Sequence, residues 1–375
     1  MNVLQVQELC DLIADSLSDS SWALRSCSLI SRPFTASAQR HLFHDIIFNR
    51  GCLAIDDLAI MNYDEASASR RFCAVMQASP HLVPLVRRLR VSLEQETLSE
   101  LCKIDFPNLQ DVVFHRRVGG PASDYVVTLG AQILASPSLR RIGLLSPIFT
   151  TIADLGRLFQ NCAPRMDSLF IRDVSFEQMP DDGDSPLSPK VKIRALRLQP
   201  LYSQTPDWLL GSHSPFDFSA LATLKSGSRM PSFLPKLLEC ARLTLTRVTI
   251  DAQGTVNPIY TNTPNSTLLA RLPALTHLTI VSFANELQDV QILLAALPAG
   301  RRLAFLKLEI RNVRKLKAHM HVLQVIGGTC ASAADSVSVH VRRVASGADS
   351  AELVVAVRSA FADLDGRGDL QVLVQ

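Results

Sequence analysis

A short pattern of apolar positions recurs along most of this chain. It has the form apolar-x-x-apolar-x-apolar, and ten copies stand between residues 86 and 339. The steps between the middle residues of successive copies are 23, 30, 27, 27, 28, 19, 35, 28 and 31 residues, with a mean close to 28. A pattern that returns at such a pitch predicts a protein built from stacked repeats. The middle residues are Leu89, Val112, Ile142, Leu169, Leu196, Leu224, Leu243, Leu278, Leu306 and Val337.

The end of each copy alternates apolar with other residues, which is typical of a short strand whose every second side chain points inward. Between copies, about 15 to 20 residues return the chain as a helix or an irregular segment. A unit of this size is too small to bury its own face, so neighbouring units must stack in register. Apolar residues at helical spacing predict returning helices at residues 125–135, 151–161, 234–240 and 285–297.

The repeated pattern resembles leucine-rich repeats in an irregular form, over residues 80–345. Regular members of that family place an Asn after the strand, and none follows Phe114, Leu144 or Leu308 at the expected place. An α/β domain with a parallel sheet is the alternative, because alternating strands and helices look alike in both. Ten strands at one pitch, without a glycine fingerprint, favour the solenoid.

Two polar segments, residues 178–189 and 251–266, interrupt the repeats and are predicted to project as loops. The second accounts for the 35-residue step. Residues 346–375 are predicted to close the array, with one amphipathic helix from Ser350 to Leu364 and a final strand from Leu370 to Val374. A terminal cap of this kind is what a solenoid requires.

The first part of the chain, residues 3–48, has a different pattern. Leu9, Ile13 and Leu17 lie at helical spacing, and two further helical patterns run from Trp22 to Ile30 and from Pro33 to Phe43. We therefore predict a compact helical module, followed at residues 49–79 by a linker with a first helical segment. The predicted fold class is α/β: a short N-terminal helical module and then an irregular leucine-rich-repeat solenoid.

Within this module, Cys27-Ser28-Leu29-Ile30-Ser31-Arg32 is the most specific segment. It belongs to a stretch of about 45 residues that resembles the F-box-like domain abundant in mushroom-forming (basidiomycete) fungi. The family has Pro where this chain has Val6, and Trp where it has Phe34. The resemblance implies docking to the Skp-type adaptor of a cullin ubiquitin ligase. The matching positions are Glu8, Leu9, Ile13, Leu17, Leu24, Leu29 and Phe34. The alternative is that these residues form only the module's own core and the first cap of the solenoid.

Composition narrows the class of protein. The net charge is +3, from 38 basic and 35 acidic residues, so the whole-chain charge indicates neither a nucleic-acid nor a membrane partner. The eight cysteines are scattered and contain no Cys-x-x-Cys pair, which favours reduced core thiols. The acidic N-terminus is unlike a secretory signal, and no apolar run approaches the ~18 residues of a membrane span. We expect an intracellular protein, cytoplasmic or nuclear.

Catalytic motifs are missing from the sequence. It has no Gly-x-Ser-x-Gly elbow, no phosphate-binding loop ending in Gly-Lys-Ser/Thr and no His-Glu-x-x-His. His41 and His44 stand three residues apart on a predicted helix, and His319 and His321 alternate in a predicted strand or turn. Without further ligands near them, neither pair predicts a metal site. We expect no catalytic residues, no cofactor and no metal.

One cluster of basic residues stands out near the C-terminal repeats. It contains a single acid, Glu309, and it predicts a basic rim for an acidic partner. A solvated rim without a partner is the alternative. Nucleic acid is the less favoured ligand because the cations do not alternate with a series of aromatic stacking residues. The cations are Arg301, Arg302, Lys307, Arg311, Arg314, Lys315 and Lys317.

The leading functional hypothesis is a non-catalytic substrate-recognition adaptor of a Skp-cullin-F-box ubiquitin ligase, which binds a target protein through its repeats. A second hypothesis is a repeat scaffold or receptor whose N-terminal helices are only a cap. A third, an α/β enzyme, needs a pocket with converging polar groups, which the sequence does not indicate.

Overall fold

A computed structural model describes most of the chain, in two compact units. One comprises Met1–Val191 with Ser212–Pro215, and the other Lys192–Gly211 with Phe216–Gln375. The described residues are 7–48, 64–115, 120–178, 190–199, 207–227, 234–251, 269, 271–295, 297, 302–311, 319–342 and 350–374. Several predictions fall outside them, namely Val6, Arg301, Arg314, Lys315, Lys317 and most of the two polar loops.

Three helices begin the first unit, in the segment where three helical patterns were predicted. They are α1 (Gln7–Ser16), α2 (Ser21–Cys27) and α3 (Arg32–Leu42). The Ser20 side chain caps α2 by accepting a hydrogen bond from the Ala23 N–H at 3.3 Å. Pro33 stands in the first turn of α3, where its missing N–H costs no helical hydrogen bond. His44 lies in the turn after α3, so the two histidines predicted on one helix do not share it.

Two small apolar clusters join these helices. Each takes one buried residue from α1, one from α2 and one from α3, so the three helices share a core. Leu17 packs against both clusters from the turn after α1. One cluster consists of Cys10, Cys27 and Phe34, and the other of Ala14, Leu24 and Ala38.

A parallel sheet follows in the same unit, with its strands in sequence order. Helices pack beside one another in the returning segments. A 3-10 turn at Pro80–Leu85 leads into the second strand. The strands are β1 (Asp45–Ile47), β2 (Arg88–Ser92), β3 (Asp111–His115), β4 (Arg141–Leu145) and β6 (Ser168–Arg172), while β5 (Ile148–Phe149) and β7 (Ser175–Phe176) form a separate pair. The helices are α4 (Glu65–Ala78), α5 (Gln95–Leu101), α6 (Asp124–Leu134) and α7 (Ile152–Phe159).

The register explains the apolar pattern. Leu89, Val112, Ile142 and Leu169, the middle residues of four predicted copies, pair across adjacent strands and are all buried. They form one inward row, as the strand prediction requires. Ile46 of β1 extends this row by pairing with Leu89, and Phe43-x-x-Ile46-x-Phe48 has the repeat pattern that the ten-copy count missed.

The second unit contains a longer parallel sheet, again in sequence order. Its strands are β9 (Ala195–Leu198), β11 (Thr223–Ser226), β12 (Arg247–Asp251), β13 (His277–Phe283), β14 (Phe305–Arg311), β15 (Val337–Arg342) and β16 (Leu370–Val374). Two short strands lie outside this sheet: β8 (Val191–Lys192), which stands at the sequence boundary of the two units, and β10 (Phe216–Asp217). The helices are α8 (Leu234–Cys240), α9 (Leu287–Ala295), α10 (Met320–Ala333), α11 (Ser350–Ala360) and α12 (Ala362–Asp365), with 3-10 turns at Asp207–Leu209 and Ala284–Glu286.

One predicted copy of the pattern was wrong. Leu243 is 69% exposed in a turn after α8 and lies in no strand. The strand is β12, whose pattern is Leu245-x-x-Val248-x-Ile250, and all three of these residues are buried. Leu245 belongs to both overlapping patterns, so periodicity alone could not choose between them. With Val248 as the middle residue the neighbouring steps become 24 and 30 residues, and no 35-residue step exists.

Two other predictions in this unit were also wrong. His319 and His321 stand at the start of helix α10 and not in a strand or turn. The single helix predicted from Ser350 to Leu364 is broken after Ala360, where the buried Phe361 leaves helical geometry before α12 begins. The final strand is at Leu370–Val374, as predicted.

The break between α11 and α12 packs closely against Gly327 of α10. A Cβ atom at Gly327 would collide with the carbonyl oxygen of Ala360, whereas a Cβ at the neighbouring Gly328 would meet no heavy atom within 4 Å. The adjacent glycines therefore have opposite packing requirements.

Gly327→Ala is expected to lower the free energy of unfolding by about 1–3 kcal/mol, because the added methyl group overpacks a backbone contact. Gly328→Ala is the matched control, and it is expected to raise stability by about 0.5–1 kcal/mol through helix propensity. Urea unfolding followed by circular dichroism measures both. Equal effects of the two substitutions would contradict the close approach.

Candidate protein-interaction surfaces

Four large apolar side chains of the N-terminal helical module are open to solvent. Leu12 of α1 is 66% exposed and Trp22 of α2 is 77% exposed. In the turn after α2, Leu29 is 87% and Ile30 56% exposed. We call these four residues the apolar quartet. Four such residues within one small module make it a candidate interaction site.

The sequence-predicted docking residues divide into two groups. Leu24 and Phe34 are buried in the module's core, with Ile13 and Leu17 packed against it. Glu8 and Leu29 are exposed, and Leu9 is half-buried. The structure thus brings four of the seven together as core, and of the apolar residues among the seven only Leu29 is fully accessible.

Leu12, Trp22 and Ile30 were missed because the family pattern was followed instead of the helix faces. Leu12 lies beside Ile13 in sequence and therefore about a quarter-turn away from the buried stripe of α1. An apolar residue off the amphipathic face of a helix is the signal that could have identified it.

A polar seam between α1 and α3 fixes the orientation of the module's helices. The Ser37 hydroxyl donates to Asp11 Oδ1 at 2.6 Å, and Gln7 Nε2 donates to the same oxygen at 2.8 Å. These two hydrogen bonds lower the pKa of the Asp11 carboxyl below its usual value. A second contact joins His41 Nε2 to Asp15 Oδ1 at 2.7 Å. The seam holds α1 against α3, and thus Leu12 in place.

In the first unit, the outward side of the sheet is nearly balanced in charge. Asp111 of β3 lies 3.2 Å from Arg141 of β4 and 3.8 Å from Arg88 of β2, and Arg90 lies 3.6 Å from Asp45 of β1. Burial raises the pKa of Asp111, and the two arginines act in the opposite direction. Opposite charges on neighbouring strands neutralise one another, so this side is a poor attractor for a charged partner.

A buried polar cluster lies where β2 and β3 end. Ser92 donates its backbone N–H to Glu65 Oε2 at 3.3 Å and its hydroxyl to the same oxygen, while His115 Nε2 lies 3.6 Å from Glu65 Oε1. The serine hydroxyl bonds the carboxylate and not the imidazole, so the cluster lacks the nucleophile–base hydrogen bond of a catalytic triad. Its geometry anchors the first turn of α4 to the ends of two strands.

The second unit presents a different outward side, dominated by cations. Arg197, Lys225 and Lys307 belong to one outward row, in which Lys225 pairs with Arg197, and Thr249 and Thr279 stand between Lys225 and Lys307. Arg311 of β14 pairs with Arg342 of β15 farther along the strands. We call Arg197, Lys225, Lys307, Arg311 and Arg342 the basic face.

One buried carboxylate organises the arginines of the basic face. Glu309 is 7% exposed, and its Oε1 accepts from Arg311 Nη2 at 3.1 Å and Nε at 3.2 Å. Arg342 Nε lies 3.2 Å from the same oxygen. Two guanidinium groups on adjacent strands are therefore held around one acid, which leaves the face with excess positive charge.

The charges of the basic face act on one another across several strands. Burial, then the positive charge of Arg197, lowers the pKa of Lys225; Arg311 and Arg342 act in the same direction, and Glu309 opposes them. Burial and then Lys307 lower the pKa of His340, which pairs with Glu309 across the sheet. The lowered pKa favours the neutral form of His340. The lysines and arginines therefore determine the electrostatic potential of this face.

Of the predicted basic rim, Lys307 and Arg311 belong to this face. Arg302 does not: it lies before β14, where Nε is 2.8 Å from Asp335 Oδ1 and Nη2 donates to the Ala334 carbonyl at 2.9 Å. The prediction missed Arg197 and Lys225. Each follows the middle apolar residue of its repeat, as Lys307 does, and this shared position is the signal that aligning the copies could have revealed.

Four of the described cysteines have unreactive thiols, whereas Cys240 is exposed. Burial raises the thiol pKa to about 11 in Cys73 and Cys102 and to about 12 in Cys162, and it raises that of Cys330 further. Thiols with such pKa values are protonated at neutral pH and are poor nucleophiles.

Within the described ranges, no three His, Cys, Asp or Glu residues are grouped to hold a metal ion. Nor does any helix of the described part have the length and apolar character to cross a membrane.

A cleft of about 420 Å³ lies where α5 and α6 end in the first unit. Cys102, Lys103, Gln132 and Ser136 contribute to its lining. Lys103 Nζ bonds Glu100 at 2.7 Å, and the Cys102 thiol donates to the Leu129 carbonyl at 3.4 Å. Local contacts therefore occupy two of its polar side chains.

No protein-family model matches this sequence, and no curated protein matches it either. Among solved structures, the chain is similar to one in the crystal structure of a TLR13–ssRNA13 complex, at 11% sequence identity and a TM-score of 0.34. The alignment covers 77% of this chain and 36% of that chain, so this chain matches only about a third of its length. The class of protein rests on the strands themselves: a mixed α/β chain whose parallel strands recur in a leucine-rich-repeat-like arrangement.

Glu309→Gln is expected to lower the free energy of unfolding by about 1–3 kcal/mol, because two arginines lose a buried charged acceptor. Glu239→Gln is the matched control, since Glu239 makes an exposed ion pair with Arg242 at 3.1 Å. Its effect is expected to stay below about 1 kcal/mol. Denaturant unfolding distinguishes the two, and a loss at Glu309 no larger than at Glu239 would show that Glu309 does not hold the two arginines.

Proposed function

We propose that this protein is a non-catalytic substrate-recognition adaptor of a Skp-cullin-F-box ubiquitin ligase. Its N-terminal helices bind a Skp-type adaptor, its repeats bind a target protein, and other subunits perform the reaction. The observation that carries the proposal is the apolar quartet, exposed on a module whose sequence resembles an F-box-like domain. The role implies an intracellular protein, cytoplasmic or nuclear.

The energetics of the module support this role. Each apolar side chain of the quartet that becomes buried in a complex contributes about 1.5–3 kcal/mol to binding. Leu24 and Phe34, by contrast, are already buried, so they contribute indirectly by holding the helices in place. An interface built on a preformed core loses little conformational entropy on binding.

The alternative is a repeat scaffold or receptor in which these helices serve only as a cap. One observation favours it: β1 follows α3 after two residues and pairs with β2, and α3 contacts the 3-10 turn at Pro80–Leu85. Helix α3 thus packs beside the turn that leads into β2. A cap requires its core, but it does not require the exposed quartet.

Paired substitutions separate these two functions. We expect Leu12→Glu with Leu29→Glu to weaken binding of a co-expressed, cognate Skp-type adaptor by about tenfold or more, because two charges replace apolar contacts. The matched control is Leu243→Glu with Val355→Glu, which alters residues 69% and 67% exposed in the second unit. This control is expected to bind normally. Isothermal titration calorimetry measures affinity, and thermal unfolding checks that both variants remain folded.

The adaptor hypothesis is wrong if the unsubstituted chain does not bind the co-expressed adaptor. It is also wrong if the two variant pairs lose affinity equally. Normal binding in the control, with loss in the Leu12 and Leu29 pair, would assign the interface to the module.

A further inference from the structure

We propose that the basic face of the second unit binds an extended acidic segment of a partner protein. This proposal rests on the proposed function, since it names the chemistry of the target that the repeats recognise. It assigns a site to Arg197, Lys225, Lys307, Arg311 and Arg342, on strands whose register fixes their spacing.

The spacing of the cations suits an extended chain. Lys225 of β11 and Lys307 of β14 are separated by three strand steps, and neighbouring strands lie about 4.8 Å apart. The separation along the sheet is therefore about 14 Å, which an extended peptide spans in roughly four residues. Carboxylates at alternate positions of such a peptide would point to the same side. The hydroxyls of Thr249 and Thr279 lie in the same row between the two lysines and offer neutral donors.

The arginines are positioned in advance of binding. Glu309 holds both guanidinium groups, yet the side chains of Arg311 and Arg342 remain 39% and 55% exposed. Because a guanidinium carries several N–H donors, each arginine keeps donors available to a second carboxylate. A fixed arginine loses less side-chain entropy on binding than a free one.

The chemistry of this face favours an acidic peptide over a nucleic acid. Single-stranded nucleic acids bind by stacking bases on aromatic side chains between cations. The aromatic residues of the described part of this face are half-buried, and Phe305 packs on His277 with ring centroids 6.0 Å apart. Glu309 also places a negative charge among the cations, which separate carboxylates can straddle more easily than a continuous phosphate chain.

The test uses the full chain and a fluorescein-labelled peptide of about 12 residues in which Glu alternates with Ser. Fluorescence anisotropy at about 50 mM salt is expected to detect binding that weakens as salt increases, because screening shortens the range of the charges.

Lys225→Gln with Lys307→Gln is expected to reduce the affinity for this peptide about fivefold. Arg242→Gln with Arg358→Gln is the control; it removes two cations that pair with Glu239 and Asp365, and is expected to change affinity less than about twofold.

A third variant is expected to raise the affinity for the peptide and to lower the stability of the protein. Glu309→Gln removes a negative charge from the face and also releases the two arginines that it holds in place. The electrostatic gain is expected to exceed the lost preorganisation, so this variant is expected to bind the acidic peptide about two- to fivefold more tightly while the protein is less stable. A merely structural role for Glu309 predicts lower stability without tighter binding.

The proposal is overturned if the acidic peptide does not bind at low salt, or if both double variants weaken binding equally. It is also overturned if a single-stranded RNA of the same length binds more tightly than the peptide and depends on Lys225 and Lys307. The Skp-type adaptor is titrated against the same preparations. In the unsubstituted chain, absent peptide binding with intact adaptor binding refutes the acidic site alone, and absent adaptor binding with intact peptide binding refutes the ligase role alone.

Discussion

Stacking of inward-facing aliphatic side chains is the constraint on which both units depend. A strand of three to seven residues has too little apolar surface to be stable alone. Leu224, Val248, Leu278 and Leu306 stand opposite one another on successive strands, and each is almost completely buried by its neighbours. The fold is therefore cooperative along the sheet, and each repeat depends on the repeats beside it.

The N-terminal module is stabilised by a smaller core than the sheet. Its core is two small clusters and a polar seam, which is enough to orient three short helices. The four residues of the apolar quartet lie outside this core, so they contribute little to the module's stability. Exposed apolar side chains without a structural role carry a solubility cost, and a binding role offsets that cost.

Sequence reasoning identified the strands better than the surfaces, for a physical reason. Burial of every second residue imposes a pattern that survives irregular spacing, so Leu89 and Leu306 could be placed in strands from the sequence. Ambiguity arose where two patterns overlapped, as at Leu245, and the copy around Ile46 was missed. The basic face was found in part, because Lys307 and Arg311 are close in sequence, whereas Arg197 and Lys225 join them only through register. Burial of Leu24 could not be inferred from a family pattern, since core and interface positions are both apolar.

The alternation of inward and outward residues has a consequence for how such a protein changes over time. Leu306 and Lys307 are neighbours in sequence, yet one contributes to the core and the other to the surface. Substitution at the outward positions alters what the sheet attracts and leaves the packing beneath untouched. Recognition can therefore diversify quickly among descendants of one scaffold, while the aliphatic positions that hold the scaffold together remain under a separate and stricter selection.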